Sequence, residues 1–487
     1  MMADRIRGMP PKLLVVGLDA ADPKHLIRWC DAGILPTLAG IRAGGVCGEL
    51  QTPEGMADDA AWASFSTCVS PALHKRYHFR GIARNSYDTY RFRPCHFEYS
   101  SFWDTLSEAG KRVAAIDVPK SPVADRLNGI EIRDFRVHGR EGRSTSSVPP
   151  EIAADLVSRF GDDRADSPSS DSFLCGEEQL SERLRPQFFE ELRQSIADKT
   201  NVALELLDDG PWDLFMVVFK EAHCAGHQFW PPDCDVRNIY QMLDTAVHKL
   251  VDMAGADCTV IVFSTLGMVG NYTGNHLLDA VLRRLERGLV SPWKYAMMAA
   301  DRFSHRVRRR LRMPSEHSRY RMRLAYPVEF NELSGAVRIN LAGRDPNGLV
   351  QPGPEAESLM QWLQSELEVL TDPATGRSVV ETVLRSDEQF PGRSCDHLPD
   401  LLVVWSREAP INAVASPTIG VVSSSLPTLR SGNHIPGGMY FARGPKIDAG
   451  AAASPASIMD IGPTIAELLS TALEDVDGVP IRSIAVG

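Results

Sequence analysis

The chain has 487 residues, 43% of them hydrophobic and 24% charged, which excludes a disordered, collagen-like or coiled-coil bulk. Fifty-two basic residues against 63 acidic ones leave a net charge of −11, which argues against nucleic-acid binding through global charge. The nine cysteines are scattered, odd in number and without a CxxC pair, so they suit a reduced compartment better than a disulfide framework.

At the N-terminus, only a short apolar run precedes Gly17 and Asp19, less than a secretory signal needs. No apolar run approaches the ~18 residues of a membrane span, so no transmembrane segment and a cytoplasmic address are expected. Lys12–Gly17 (KLLVVG) reads as a buried strand, and Pro23–Gly44 as a helix, a turn and a second helix. Further strands are expected at Val113–Val118, Ile130–Phe135, Asp213–Phe219, Thr259–Ser264, Asp400–Trp405 and Met439–Gly444. Strands apolar on both faces, alternating with helical patterns, predict an α/β fold with a mainly parallel central sheet sandwiched by helices. Ligands of such sheets collect outside the carboxyl ends of the strands.

Two stretches break the alternation. Residues 138–172 are rich in Ser, Asp, Arg and Pro and read as an inserted loop or cap. Residues 283–323, with RVRRRLR at Arg306–Arg312, read as a basic helical cap spanning roughly 280–330. That cap is either a solvated helical face or a surface that draws in an anionic substrate, membrane surface or partner.

Four segments carry candidate chemistry. Asp19 follows LLVVGL with Asp22 close behind, where an Asp serves equally well as a helix N-cap. Asp58 and Asp59 open an apolar helical pattern containing Ser64 and Ser66. The acids there fit capping, and helical serines often bond back to their own turn. His223 and His227, in FKEAHCAGHQFW, are four apart, so on a helix they share a face and can grip one metal ion. Glu221 and Lys220 lie beside them, Glu221 as an acidic outer partner. Last, His434 sits in a Gly-rich loop before a late strand.

The order and spacing of these four segments resemble the alkaline phosphatase superfamily, in its type I phosphodiesterase/nucleotide pyrophosphatase branch. Asp19 in GLDAAD matches that branch's first metal-binding Asp, and W-A-S-F-S-T-C-V-S-P-A-L-H-K from Trp62 matches its W-x-S-F-x-T-G-x-x-P-x-x-H-G helix. His223 and His227 match an Asp-x-x-x-His pair, and His434 matches the last metal-binding His of S-G-x-H-x-P-x-G. The resemblance extends through HLPDLLVVW from His397, IMDIGPTIAELL from Ile458 and DGVPI from Asp477. It implies an alkaline phosphatase-like α/β core over residues 1–487, carrying inserted caps.

It also implies a nucleophile position that falls on Asp58 rather than on a Thr or Ser; Ser64 is the nearest downstream hydroxyl. One metal site becomes His223, His227 and His434, three imidazoles well suited to zinc. The second site degenerates, since its Asp-His positions are Thr265 and Leu266, unless Asp22, Asp59 or His276 moves in beside Asp19 and Asp58. A second metal is therefore expected to be absent or weak. The leading expectation is a metal-dependent hydrolase or group transferase acting on a phosphate or sulfate ester. Water activated at a single zinc would attack, with Asp58 or Asp19 as general base. The alternatives are a metalloenzyme of another class, such as a lyase or transferase of specialised metabolism, and a non-catalytic, metal-containing anion-binding protein. The expected partner is a small anionic substrate and not a nucleic acid; the sequence leaves self-association into a homo-oligomer open.

Overall fold

The computed structural model describes residues 11–136, 145–161, 180–232, 234–290, 320–331, 333–425, 430–453 and 455–485, with 297, 300 and 303 as isolated positions. These residues fall into two compact units. The first comprises residues 1–74, 93–270 and 428–487, and the second residues 75–92 and 271–427.

In the first unit the strands are β1 (Leu13–Leu18), β2 (Val46–Gln51), β3 (Val113–Ile116), β4 (Gly129–Arg133), β5 (Ser146–Val148), β6 (Leu214–Phe219), β7 (Thr259–Ser264) and β8 (Gly267–Gly270). After the second unit's segment the chain returns as β9 (Gly432–Ile435), β10 (Gly438–Arg443) and β11 (Ala456–Ser457). Nine of them form one sheet in the order β11-β2-β10-β7-β1-β6-β3-β4-β5. Its centre is parallel: β1 runs beside both β6 and β7, and β3 beside both β6 and β4. β10 is antiparallel to both β7 and β2. β8 and β9 make a separate antiparallel pair.

The continuous apolar runs have a direct reason. Every residue of β1, β6 and β3 is buried, because helices cover both faces of the sheet. Successive β1 side chains feed opposite cores: Leu14, Val16 and Leu18 enter one cluster, Leu13 and Val15 the other. The helices that matter for the site are α1 (Pro23–Asp31), α2 (Asp58–Thr67), α3 (Arg185–Asp208) and α4 (Glu221–Gln228).

Two expectations are corrected here. The run Asp400–Trp405 does form a strand (Leu401–Trp405), but in a four-stranded antiparallel sheet of the second unit, beside Ser334–Ile339 and Val380–Arg385. A run buried on both faces reads the same in either sheet, and only its partners decide. Within the stretch expected at 138–172 as an inserted loop or cap, the described residues 145–161 are not loop but form β5, antiparallel to β4, and an amphipathic helix at Pro150–Phe160. Pro at the first helical positions starts that helix, and Ala153 and Leu156 are its buried stripe; the polar composition around it hid the periodicity. Of the basic cap at 280–330, the helix Asn275–Leu289 and the strand Ala325–Val328 are described, while Arg306–Arg312 lies outside the described residues. At its edges Arg323 pairs with Glu286 and Asp279, so part of the charge is internally neutralised.

Asp22 is a helix cap. Its carboxylate accepts the His25 amide at 2.9 Å and the Met268 amide at 3.0 Å, pairs with His25 Nδ1, and is almost fully buried. Burial pushes this carboxyl up, but the bonds from His25 and Met268 outweigh it and hold the group below its ordinary 3.8. A carboxyl with a depressed folded value stabilises the fold above its unfolded value and loses that contribution as the pH falls through the folded one. Asp22→Ala is therefore expected to cost about 1–2 kcal/mol at neutral pH. Denaturant titrations at neutral pH and below 3.8 should show the gap from the parent narrowing in acid.

Candidate metal and active site

Three histidines meet at the carboxyl end of the sheet. Helix α4 starts directly after β6 and turns His223 and His227 onto one face, as the i,i+4 spacing requires. His434 arrives from β9, where it pairs with Met268 of β8. It was expected in a loop, but β9 is a four-residue strand between glycines, too short for a period-2 signal. Gly432 makes the approach possible: a Cβ there would lie 2.1 Å from the Gly226 carbonyl oxygen of α4. Its own carbonyl accepts a hydrogen bond from His227 Nδ1 at 2.9 Å.

The ring orientations follow from these outer contacts. His227 Nδ1 donates to Gly432, and His223 Nδ1 donates to Asp19 Oδ2 at 2.9 Å. Both rings therefore present an Nε2 lone pair, and these two atoms face each other at 3.0 Å. His434 Nε2 lies 3.3 Å from His223 Nε2. Converging lone pairs repel unless a cation lies among them. Imidazole nitrogens on one tetrahedral zinc at about 2.0–2.1 Å would stand about 3.3 Å apart, which the two separations from His223 approach. Among the described residues, no other cluster of His, Cys, Asp or Glu has comparable geometry. Burial pushes His434 down to about 3 and His227 well below its ordinary value, so both rings are neutral at physiological pH, the form a metal ligand takes.

Asp19 sits just after β1 and is buried. Its Oδ1 accepts from the Trp62 indole at 2.7 Å and from the Thr265 hydroxyl at 3.2 Å, while Oδ2 takes His223. Burial works to raise this carboxyl, but the charge and hydrogen bond of His223 hold it below its ordinary value. With both oxygens engaged, Asp19 fixes the orientation of the His223 ring.

Asp58 is the first residue of α2, with Asp59 behind it. Asp58 is ion-paired with Lys120, and Lys120 also reaches Asp59 at 3.5 Å. Burial disfavours the Asp58 anion, yet Lys120 together with His223 and His434 holds the carboxyl well below the ordinary range. Asp58 is thus ionised and electrostatically in touch with the three-histidine cluster.

The remaining candidates fall elsewhere. Ser64 is fully buried with its Oγ 3.0 Å from His74 Nε2, and Ser66 bonds back to the Ala63 carbonyl as helical serines do. Glu221 accepts from Ser195 at 2.6 Å and pairs with Lys199 at 3.4 Å, away from the ligand rings; Lys220 pairs with Asp117 at 2.9 Å. His276 belongs to the second unit, where its Nε2 lies 3.2 Å from the Ser424 carbonyl oxygen. Leu266 is buried with Ala20 and Ala57 in a small apolar cluster. Sequence reasoning missed Lys120, which follows β3 in a DVPKSP turn carrying no recognisable motif, and missed Trp62 as a donor to Asp19.

A profile of the type I phosphodiesterase / nucleotide pyrophosphatase family matches residues 13–424. The chain belongs to that family. A comparison with curated proteins returns no match. Among solved structures, the fold is similar to phosphonoacetate hydrolase from Sinorhizobium meliloti in complex with phosphonoacetate, with a TM-score of 0.53 and 13% identity over 96% of both chains. It is also similar to human ectonucleotide pyrophosphatase/phosphodiesterase 5, with a TM-score of 0.52 and 11% identity over 96% of this chain and 97% of that one. The murine enzyme, inactive and in complex with AMP, gives a TM-score of 0.50 at 12% identity over 95% and 96%. The alkaline phosphatase-like fold with its large, mainly parallel sheet is thereby shown. Among the described residues, no helix is long and apolar enough to cross a membrane.

Removing the outer carboxylate tests the Asp19–His223 link. Asp19→Ala should weaken zinc binding about 10- to 100-fold. Competition against a chromophoric chelator measures this, and unchanged affinity would sever Asp19 from the metal site.

Proposed function

We propose that this protein is a one-metal phosphoester hydrolase acting on a small anionic phosphate or related ester. The observation that carries the reading is the convergence of three buried imidazoles beside the ionised carboxylate of Asp58. Family membership supports ester hydrolysis at phosphorus, and the solved relatives with phosphonoacetate or AMP support a small anionic ligand.

His223, His227 and His434 would hold the ion, zinc by donor type and spacing. Such an ion supplies Lewis acidity to the phosphoryl oxygens and lowers the pKa of water. Asp58 then accepts a hydrogen bond from the attacking water and orients its lone pair toward phosphorus. As the water oxygen bonds to phosphorus, the ester P–O bond breaks and its electron pair leaves with the departing oxygen. The water's proton passes by way of the Asp58 carboxylate to solvent. Asp19, with its oxygens taken by His223, Trp62 and Thr265, keeps the His223 ring in place instead of acting as base. A carboxylate fixed at position 58 also rules out the alkoxide attack expected of a Thr or Ser there.

Leu266 and its apolar neighbours favour a second reading, an anion-binding protein without turnover. Turnover separates the two. The zinc-loaded chain should hydrolyse bis(p-nitrophenyl) phosphate, and Asp58→Asn should lower kcat about 100- to 1,000-fold while leaving bound zinc unchanged. Full activity in Asp58→Asn would remove the carboxylate from the chemistry. Absence of turnover in the parent chain on phosphate mono- and diesters would favour the binding reading.

A further inference from the structure

Around Asp19 and Asp58 the donors for a second metal ion do not fit. Of the two ligand positions implied by the family pattern, Thr265 spends its hydroxyl on Asp19, and Leu266 is packed against Ala20 and Ala57. Both Asp19 oxygens already accept hydrogen bonds, Asp22 caps α1, and His276 Nε2 lies at the Ser424 carbonyl. Three carboxylates nonetheless share this corner: Asp19, Asp58 and Asp59. A dication held by the histidines leaves one negative charge to be balanced, and the Lys120 ammonium balances it.

Lys120 is built into the site. It sits in the left-handed region, at φ +56°, a conformation that non-glycine residues hold only where the surroundings fix it. Its side chain is 11% exposed. Burial disfavours the ammonium, but Asp58, Asp59 and Asp19 together raise its pKa, so it stays charged throughout the neutral range. An ammonium has three protons; one goes to Asp58, and Asp59 lies 3.5 Å away as a second ion-pair partner. Lys120 also lines a cavity of about 170 Å3 together with Pro119, Val123, Arg133 and Lys220. The other two cations there are committed: Lys220 to Asp117, and Arg133 to the carbonyls of Ser121 and Pro122 at 2.6 Å. Lys120 is the cation in this cavity that also belongs to the Asp58 corner.

We propose that Lys120 is a catalytic residue that binds a non-bridging oxygen of the phosphoryl group and does the electrostatic work of a second cation, so that the site runs with one metal and one ammonium. The bound anion takes another ammonium proton, while the contact with Asp58 keeps that carboxylate aligned for the attacking water. This inference rests on the one-metal reading above, and it concerns anion binding, which is measurable without turnover.

The test is calorimetric titration of the zinc-loaded full chain with inorganic phosphate, for the parent, Lys120→Met and Lys120→Arg, with zinc content measured in each. Lys120→Met should bind phosphate at least about tenfold more weakly at unchanged zinc content, and Lys120→Arg should recover most of the loss. With bis(p-nitrophenyl) phosphate, kcat for Lys120→Met should fall by about a hundredfold, more than KM rises. Equal phosphate affinity in the parent and Lys120→Met would overturn the proposal, as would a parent that binds no phosphate. Loss of zinc in both variants would overturn it too, by making Lys120 a structural support of the metal. If phosphate binding depends on Lys120 but no ester is turned over, the anion-binding role of Lys120 stands, while its catalytic role and the hydrolase reading both fall.

Discussion

Three imidazole nitrogens that face one another in a buried site are an unstable arrangement until a cation joins them, and much of the surrounding structure serves to hold them there. The Nε2 atoms of His223 and His227 stand 3.0 Å apart because each ring has its other nitrogen engaged elsewhere, one by Asp19 and the other by the Gly432 carbonyl. Each outer partner is in turn held by the fold. Asp19 is the first residue beyond β1, fixed by the indole of Trp62 from α2, and Gly432 opens a strand that only a glycine lets approach α4 so closely. The parallel sheet thus sets the arrangement of the three histidines through backbone placement, with little dependence on flexible side chains.

The electrostatics follow the same logic. Burial would discourage both ionised carboxylates and charged rings. The site resolves this by keeping His227 and His434 neutral, and by confining the anions to a corner where the Lys120 ammonium offsets them. The substitutions that set this chain apart are consistent with each other. Thr265 in a carboxylate's place becomes a hydrogen-bond donor to Asp19, and Leu266 fills with methyl groups the space beside Ala20 and Ala57. An apolar filler in a polar corner is economical when a lysine already supplies the missing charge.

Much of the fold was legible because buried parallel strands leave continuous apolar runs, and β1, β6 and β7 appear in the sequence almost to the residue. The strand at Leu401–Trp405 was visible as a strand but not as part of a different sheet, since pairing partners leave no local mark. The helix at Pro150–Phe160 was lost in its polar surroundings. Within the site, His223 and His227 were readable from spacing, and His434 and Asp58 from their place in a familiar order of motifs. Lys120 was not readable: a lysine after a short strand looks like a solvated residue until the fold brings it, 62 positions from Asp58, against that carboxylate. The division of labour at Asp19 was equally hidden, because one carboxylate can bind a metal or orient a histidine, and only the positions of Trp62 and Thr265 decide.

The most direct test of the account is the metal content of the full chain purified without chelator, measured by elemental analysis beside a His434→Ala control. The account predicts one equivalent of zinc per chain, absent from the control. Two equivalents would contradict it by showing that the acidic corner rebuilds a second site around Asp19 and Asp58; a chain with no metal would contradict the three-histidine centre itself.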